Sequence, residues 1–181
     1  MLQALGATFY DDEAQIVDMR KGAYLIKYIR RIDLSGVHPQ LTKVNIQLMS
    51  DFSSRLYGKK SEIMQTYESL DLSQNEAAEI DNLIWYFSEL FKNELKIAMG
   101  PIERGGAGGG IAAVLNSLYQ AEILTSHELV NQITHLENLI QQADLIIFGE
   151  GLKEEDQILE TTTIRIAELT QQYSKPAIAI C

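Results

Sequence analysis

The sequence predicts an α/β protein, and three observations support this class. Two apolar segments near the end of the chain, 145–148 and 177–180, flank a segment of helix length at 158–172. Strands joined by such a crossover run parallel, and the connection is almost always right-handed. Residues 75–95 have the spacing of an amphipathic helix, and the glycine cluster 105–110 leads directly into a further helical segment.

The composition is that of an ordinary globular chain. Of its 181 residues, 46% are apolar and 22% are charged, which is enough apolar material for a buried core. The net charge of −10 disfavours nucleic-acid binding, because phosphate contacts require a basic face. With Cys181 as the only cysteine there is no internal disulfide, and no apolar run reaches the ~20 residues of a membrane span. We therefore expect a cytoplasmic protein with no nucleic-acid or membrane partner.

The elements of the first half are predicted to be short. Segments 7–10 and 15–18 flank an acidic turn, which indicates a hairpin. Residues 21–31 have the spacing of a short basic helix, and residues 44–48 alternate like a half-buried strand. Residues 52–72 have no clean period, so they are predicted to form a long connection.

The second half is predicted to be mainly helical. Ser73 and Glu76 form the pattern of a capping box in front of the helix at 75–95. A second helix is predicted at 111–119, directly after the glycines. Thr125 begins another capping-box pattern, after which helical turns continue to residue 142.

Five of the twelve glycines lie in the cluster 105–110. Glycine allows positive φ and close approach of backbone N–H groups to a ligand, and a helix that begins just after adds a positive dipole end. These features indicate an anion site; the glycines that would form it are Gly105, Gly106, Gly108, Gly109 and Gly110. The alternative is a tight turn whose small residues allow close helix packing, and the sequence leaves both open. The cluster matches neither a Walker loop nor the dinucleotide fingerprint.

Two acidic residues follow predicted strands. Glu150, between Gly149 and Gly151, lies at the carboxyl end of a predicted parallel strand, where ligands bind in open α/β sheets. Its carboxylate can hold Mg²⁺, orient a hydroxyl or act as a base; the alternative is a plain carboxylate at the start of a helix. Asp51 follows the strand at 44–48, where an aspartate is more often a turn former.

The histidines do not indicate a metal site. His38, His127 and His135 lack the spacing of zinc ligands, and no paired cysteines or carboxylate cluster accompany them. We therefore predict no protein-bound metal centre. No serine lies in the context of a nucleophile elbow either, so a catalytic triad is not indicated.

Several stretches occur in the order in which one known family has them. They are residues 1–6, residues 31–36 with Pro39 and Leu41, the glycines 105–110 with Ala112 and Leu115, residues 143–151, and residues 173–180. On these stretches the sequence resembles the bacterial glycerate kinases of the first type, which phosphorylate glycerate with ATP and Mg²⁺. The resemblance implies an inserted α/β domain of a two-domain kinase at 1–142 and a partial Rossmann-like βαβ unit at 143–181.

The resemblance also implies roles for the candidate residues. The glycine cluster, with Gly149 and Gly151, would supply backbone donors to a phosphate or carboxylate. Asp51 and Glu150 would serve the substrate hydroxyl or the metal, which makes them the candidate catalytic residues. The implied cofactors are ATP and Mg²⁺, and the implied partners are glycerate and a nucleotide.

The sequence departs from the family where phosphoryl transfer needs positive charge. Leu152 and Thr161 stand where the family has cations, and 66–71 keeps nothing of a family motif. Members of the family are also about twice as long. Because catalysis depends on neutralising the transferred group, we expect little or no kinase activity from this chain alone. The alternative is a non-catalytic binding or regulatory relative, or a shortened gene product.

A sheet that ended at 177–180 would present an unpaired edge strand. Unpaired edges recruit other strands, because their N–H and C=O groups lack partners. We therefore also expect a homo-oligomer.

Overall fold

The computed structural model describes residues 1–149 and 162–180. The chain forms two compact units. The first unit consists of Met1–Leu48 and Ser54–Glu122, and the second unit consists of Met49–Ser53 and Ile123–Cys181. The α/β class is confirmed, whereas the division into domains at 142 and 143 stays a prediction.

The first unit opens with an antiparallel pair of strands. Strand β1, Thr8–Tyr10, pairs with β2, Arg31–Asp33, and Phe9 lies opposite Ile32. The predicted short hairpin of 7–10 with 15–18 is also present, since Val17 donates to the carbonyl oxygen of Phe9 at 2.9 Å and Ile16 forms an antiparallel bridge to Tyr10. The main partner of β1 is the later strand, because it supplies a second buried apolar side chain opposite Phe9.

The basic helix predicted at 21–31 is replaced by two 3₁₀ helices, Met19–Lys21 and Ala23–Tyr28. Gly22 separates them with φ +140°, a conformation outside the helical region. The segment then returns as β2, and Leu25 and Ile26 pack partly against the core whereas Tyr24 and Tyr28 are exposed.

Strands β3, Gln47–Met49, and β4, Glu122–Leu124, form a second two-stranded sheet. The chain leaves the first unit within β3, returns to it at Ser54 and leaves it again within β4. Strand β3 covers only the end of the predicted 44–48 strand and extends beyond it. We did not predict β4, because three residues are too few to show a period.

The segment predicted as a connection contains structure. Helix α1, Glu62–Thr66, begins after Ser61, whose Oγ accepts the Met64 N–H, and a 3₁₀ turn follows at Tyr67–Leu70. The prediction of an unstructured connection at 52–72 is thus wrong, because a five-residue helix is too short for hydrophobic periodicity to reveal.

Helix α2, Gln74–Leu95, confirms the clearest prediction of the sequence. Glu76 accepts the Ser73 N–H at 2.8 Å and donates its own N–H to Ser73 Oγ at 3.3 Å, which is the predicted capping box. The hydroxyl of Ser73 also lowers the pKa of Glu76, since it donates to the ionised carboxylate. Helix α3, Ala107–Tyr119, follows the glycines as predicted.

The core of the first unit is built around three phenylalanines. Phe87 packs edge-on against Phe9 at 5.9 Å and lies 5.4 Å from Phe91, measured between ring centroids. The buried residues around them are Leu2, Ala7, Val17, Ile29, Ile32, Leu56, Met99, Ala113 and Val114. Helix α2 thus packs against β1 through Phe87.

The second unit combines helices with a parallel sheet. Helices α4, Ser126–Thr134, and α5, Leu136–Gln142, cover the predicted helical turns. Strands β5, Ile146–Gly149, and β6, Ala177–Ile180, are parallel, as predicted, with Ile147 beside Ile178. Helix α6, Thr162–Gln172, covers the later part of the predicted crossover, and residues 158–161 lie outside the described residues. The handedness of the crossover stays a prediction.

None of the helices in the described ranges is both long and apolar enough to cross a bilayer.

Candidate functional site

The glycine loop, residues 105–110, begins helix α3. Gly108, Gly109 and Gly110 have φ values of +63°, +67° and +96°, so three successive residues are left-handed. Residues with a Cβ rarely adopt this conformation, and three in a row need glycine. The regular turns of α3 start at Ile111, directly behind this reversal.

Gly106 is required for a different reason, which is close packing. A Cβ on Gly106 would lie 2.2 Å from the carbonyl oxygen of Arg55 and 2.8 Å from Ser54 Oγ. The Gly106 N–H donates to the carbonyl oxygen of Ser54 at 3.2 Å. The glycine loop thus shows close packing at Gly106 and positive φ at the three glycines that follow, whereas the anion site stays a prediction.

Most backbone donors of the loop bind carbonyl oxygens. Gly105 donates to Ile102 at 3.2 Å, and Gly110 donates to Gly106 at 3.0 Å. Gly109 differs, because its N–H donates to Oε2 of Glu62 at 3.2 Å. The glycine loop therefore binds a carboxylate oxygen, and that carboxylate belongs to α1 of the same unit.

A cavity of about 220 Å³ lies where α1, α2 and the glycine loop meet. Its polar lining comes from Glu62, Thr66, Gly106 and Gly109, and its apolar lining comes from Leu56, Ile63, Leu70, Ile80 and Ile84. A second cavity of about 210 Å³ shares Leu56, Ile84 and Gly109 with the first. Both cavities have a mainly apolar lining with a few polar groups, as small-ligand sites often do.

The cations near the loop are Arg55 and Arg104. Arg55 donates from Nη1 to the carbonyl oxygen of Pro101 at 2.9 Å and lies 3.7 Å from a carboxylate oxygen of Glu103. Arg104 directly precedes the loop, is partly buried and has a φ of +55°. Arg104 is therefore adjacent to the loop in the sequence, and Arg55 is near it in space through its backbone at Gly106.

Asp51, in the second unit, acts as a cap for helix α4. Its Oδ1 accepts the Ser126 N–H at 2.7 Å. Thr125 is buried, and its Oγ1 lies 2.9 Å from Oε2 of Glu128 and 2.9 Å from Nδ1 of His127. The capping box at Thr125 confirms the sequence prediction. No local sequence pattern predicted the hydrogen bond between Asp51 and Ser126, because the two residues are 75 positions apart.

The candidates around β5 are described only in part. Gly149 ends β5, and a Cβ there would lie 2.8 Å from the carbonyl oxygen of Ile180, so close pairing with β6 requires glycine. Glu150, Gly151, Leu152 and Thr161 lie outside the described residues. The structure thus neither brings Glu150 together with Asp51 nor separates them.

The described residues contain no group of three or more His, Cys, Asp or Glu side chains that could hold a metal ion. His38 accepts the Gln40 N–H through Nδ1 at 3.2 Å, and His135 ends α4 with a φ of +53°. Both histidines therefore have local structural roles.

Comparison with known proteins places these features in context. The sequence profile of the glycerate kinase family matches residues 1–181. The chain is 29% identical over 180 residues to a glycerate kinase of Halalkalibacterium halodurans and 28% identical to a glycerate 2-kinase of Escherichia coli K12. Each match covers 99% of this chain and 47% of the relative, so the chain spans about half the length of these curated relatives.

A solved structure gives the same result in three dimensions. The structure of a protein described as glycerate kinase 2 from Salmonella typhimurium LT2 matches with a TM-score of 0.81 and 27% sequence identity. The match covers 99% of this chain and 47% of that chain. The sequence comparison and the structural comparison therefore identify the same family.

Proposed function

We propose that this chain, which belongs to the glycerate kinase family, supplies the glycerate-binding part of an enzyme that transfers the γ-phosphoryl group of ATP to glycerate. The observation that carries this proposal is the glycine loop, where Gly109 donates to a carboxylate oxygen. Glycerate is itself a small carboxylate, so the loop presents the donor that its acidic group needs.

From the family resemblance, Asp51 is proposed to serve the substrate hydroxyl or the metal. A carboxylate can accept the hydroxyl proton as the oxygen attacks phosphorus, which is the role of the base in phosphoryl transfer. The Ser126 N–H holds Oδ1 at 2.7 Å, which leaves Oδ2 as the oxygen proposed for the substrate. Glu150 is proposed for the same hydroxyl or for the metal, on the grounds of its place after β5.

ATP and Mg²⁺ are proposed as cofactors from family membership. Mg²⁺ usually binds through one or two carboxylates and the substrate phosphates, so Asp51 has suitable chemistry although the described residues form no larger ligand group. The bound metal would neutralise charge on the transferred group. The protein residues bind the acid, orient the hydroxyl and accept its proton.

The isolated chain is proposed to have little kinase activity. It spans about half the length of its curated relatives, and Leu152 and Thr161 replace the cations that the family resemblance implies. Removal of one electrostatic contact to the developing charge costs roughly 100-fold or more in rate. A cytoplasmic location is part of the same proposal, by analogy with the family.

A non-catalytic binding protein is the second candidate. Two observations favour it, since the Glu62 carboxylate already lies at Gly109 and Asp51 already caps α4. In this case the chain binds a small acid without transferring a phosphoryl group.

The two candidates differ in a simple experiment. Calorimetric titration of the chain with glycerate should give saturable binding in both cases. Addition of Mg-ATP should then produce ADP slowly, at a rate far below the usual enzyme median of ~10 s⁻¹, if the chain is part of a kinase, and should produce no glycerate-dependent ADP if it is a binding protein. A rate within tenfold of that median contradicts the proposed low activity, and lack of glycerate binding contradicts both candidates.

A further inference from the structure

We infer that Glu62 is a tethered competitor for the anion site of the glycine loop, and that small carboxylates bind there by displacing it. This inference rests on the proposed function, since it concerns the same loop. It adds the residue that controls access and the cavity in which the ligand lies.

The first observation is the hydrogen bond itself. Oε2 of Glu62 lies 3.2 Å from the Gly109 nitrogen, and Glu62 reaches it from a different element, 47 residues earlier in the chain. Gly109 is one of the three left-handed glycines, whose backbone conformation fixes the direction of its N–H. The contact is therefore a carboxylate held by an oriented backbone donor, which is the geometry that a free acid would use.

The second observation is independent of that hydrogen bond. Ser54 is 1% exposed, and among the described residues its Oγ has no hydrogen-bond partner. Its Oγ lies 2.8 Å from the position that a Cβ would take on Gly106, and Gly106 lines the cavity beside the loop although Ser54 does not. An unpaired buried hydroxyl costs free energy, so its presence behind Gly106 indicates a missing polar partner.

The third observation is the available space. The cavity of about 220 Å³ is lined by Glu62, Gly106 and Gly109 together with apolar side chains of α1 and α2. A Cβ on Gly109 would meet no atom within 4 Å, so the loop is open at this point. A ligand of a few heavy atoms with one carboxylate fits this mainly apolar space, in which Gly109 offers a backbone donor. Larger polyanions do not suit it, because the wall offers them no donors.

The physical consequence follows from tethering. A group held on the same unit has a high effective concentration, of millimolar order or more, near its partner. An external carboxylate must therefore displace Glu62 and also approach its negative charge. Both effects weaken binding in the natural chain, and both disappear when the Glu62 carboxylate is removed.

The test compares Glu62→Ala, Glu62→Gln and the natural chain by following the Gly109 amide in nitrogen–proton spectra during titration with acetate. We expect acetate to bind Glu62→Ala at least about tenfold more tightly than the natural chain. Glu62→Gln should lie between them, because its amide oxygen still accepts the bond but carries no charge. Glu79→Ala, which removes an exposed carboxylate from α2, is the matched control and should behave like the natural chain.

A calorimetric titration with glycerate separates this inference from the proposed function. If glycerate binds the natural chain and Glu62→Ala equally well, the role of Glu62 is wrong and the proposed function stands. If acetate leaves the Gly109 amide unshifted in Glu62→Ala, the site itself is wrong. If glycerate binds neither protein, both proposals fail. If Glu62→Ala and Glu79→Ala strengthen acetate binding equally, the change in net charge explains the effect, and the inference is wrong.

Discussion

The phenol of Tyr86 donates a hydrogen bond to the carbonyl oxygen of Ile29 at 2.7 Å and accepts one from Nη1 of Arg30 at the same distance. Tyr86 lies on α2, and Ile29 is fully buried just before β2. The hydroxyl of Tyr86 thus links helix α2 to the residues just before β2.

Loss of this hydroxyl should weaken the first unit. Tyr86→Phe should lower the free energy of unfolding by about 1 kcal/mol, since a typical intramolecular hydrogen bond contributes that much. Urea denaturation measures the difference. Trp85→Phe, at the adjacent half-exposed position, is the control and should change stability by less than half as much. An equal loss in both variants would contradict a specific role for the hydroxyl.

A second prediction concerns pH. The side chain of Arg20 donates to Asp18 and lowers the pKa of that carboxyl to about 2. Because the folded pKa is depressed, the stabilising contribution is present above the unfolded value of ~3.9 and disappears as the pH falls towards 2. Arg20→Gln should therefore raise the pKa of Asp18 towards its ordinary value, as measured by carboxyl NMR titration. Lys21→Gln, which removes a neighbouring charge without that hydrogen bond, should have a much smaller effect.

A third prediction separates the two roles of glycine in the loop. In Gly109→Ala the added Cβ meets no other atom, so only the left-handed backbone conformation is unfavourable. This substitution should lower the free energy of unfolding by about 1–2 kcal/mol. Gly106→Ala places a Cβ 2.2 Å from the Arg55 carbonyl oxygen, so it should cost more, about 3 kcal/mol or complete loss of the fold. Chemical denaturation of both variants measures which substitution lowers the free energy of unfolding more. A larger cost at Gly109 would be inconsistent with packing at Gly106.

A fourth prediction addresses assembly. Ile147, Ile178 and Ile180 on the parallel strands are 61%, 50% and 62% exposed, although parallel sheets usually have both faces covered. We expect a homo-oligomer that covers this surface, visible as a mass above that of one chain in light scattering. Ile178→Glu should reduce the mass, whereas Ile133→Glu, at a 72% exposed position on α4, should not. A single-chain mass at all concentrations would refute the prediction.

The sequence predicted best where many residues repeat one signal. Helix α2 has 22 residues and a capping box, and the parallel strands have apolar runs on both sides of a crossover. These signals are local or periodic, so tertiary contacts do not override them. The family resemblance was confirmed as well, because its stretches span nearly the whole chain.

The remaining features depend on contacts between distant residues. Glu62 reaches Gly109 across 47 residues, and Asp51 reaches Ser126 across 75. Neither partner carries a pattern that points to the other, and a lone carboxylate looks the same whether it caps a helix or binds a substrate. The glycine cluster could be recognised from composition, but the division of its members between packing and conformation could not.

The passage of the chain through β3 and β4 has a consequence for biosynthesis. The first unit has all of its residues once Glu122 has been translated, whereas Met49–Ser53 must wait for Ile123 and the residues after it. As the nascent chain leaves the ribosome, the first unit can fold before the second unit has its partners. Folding of the first unit also shortens the loop that must later be closed, which reduces its entropic cost. The order of translation therefore favours the formation of the glycine loop before the cap that Asp51 provides.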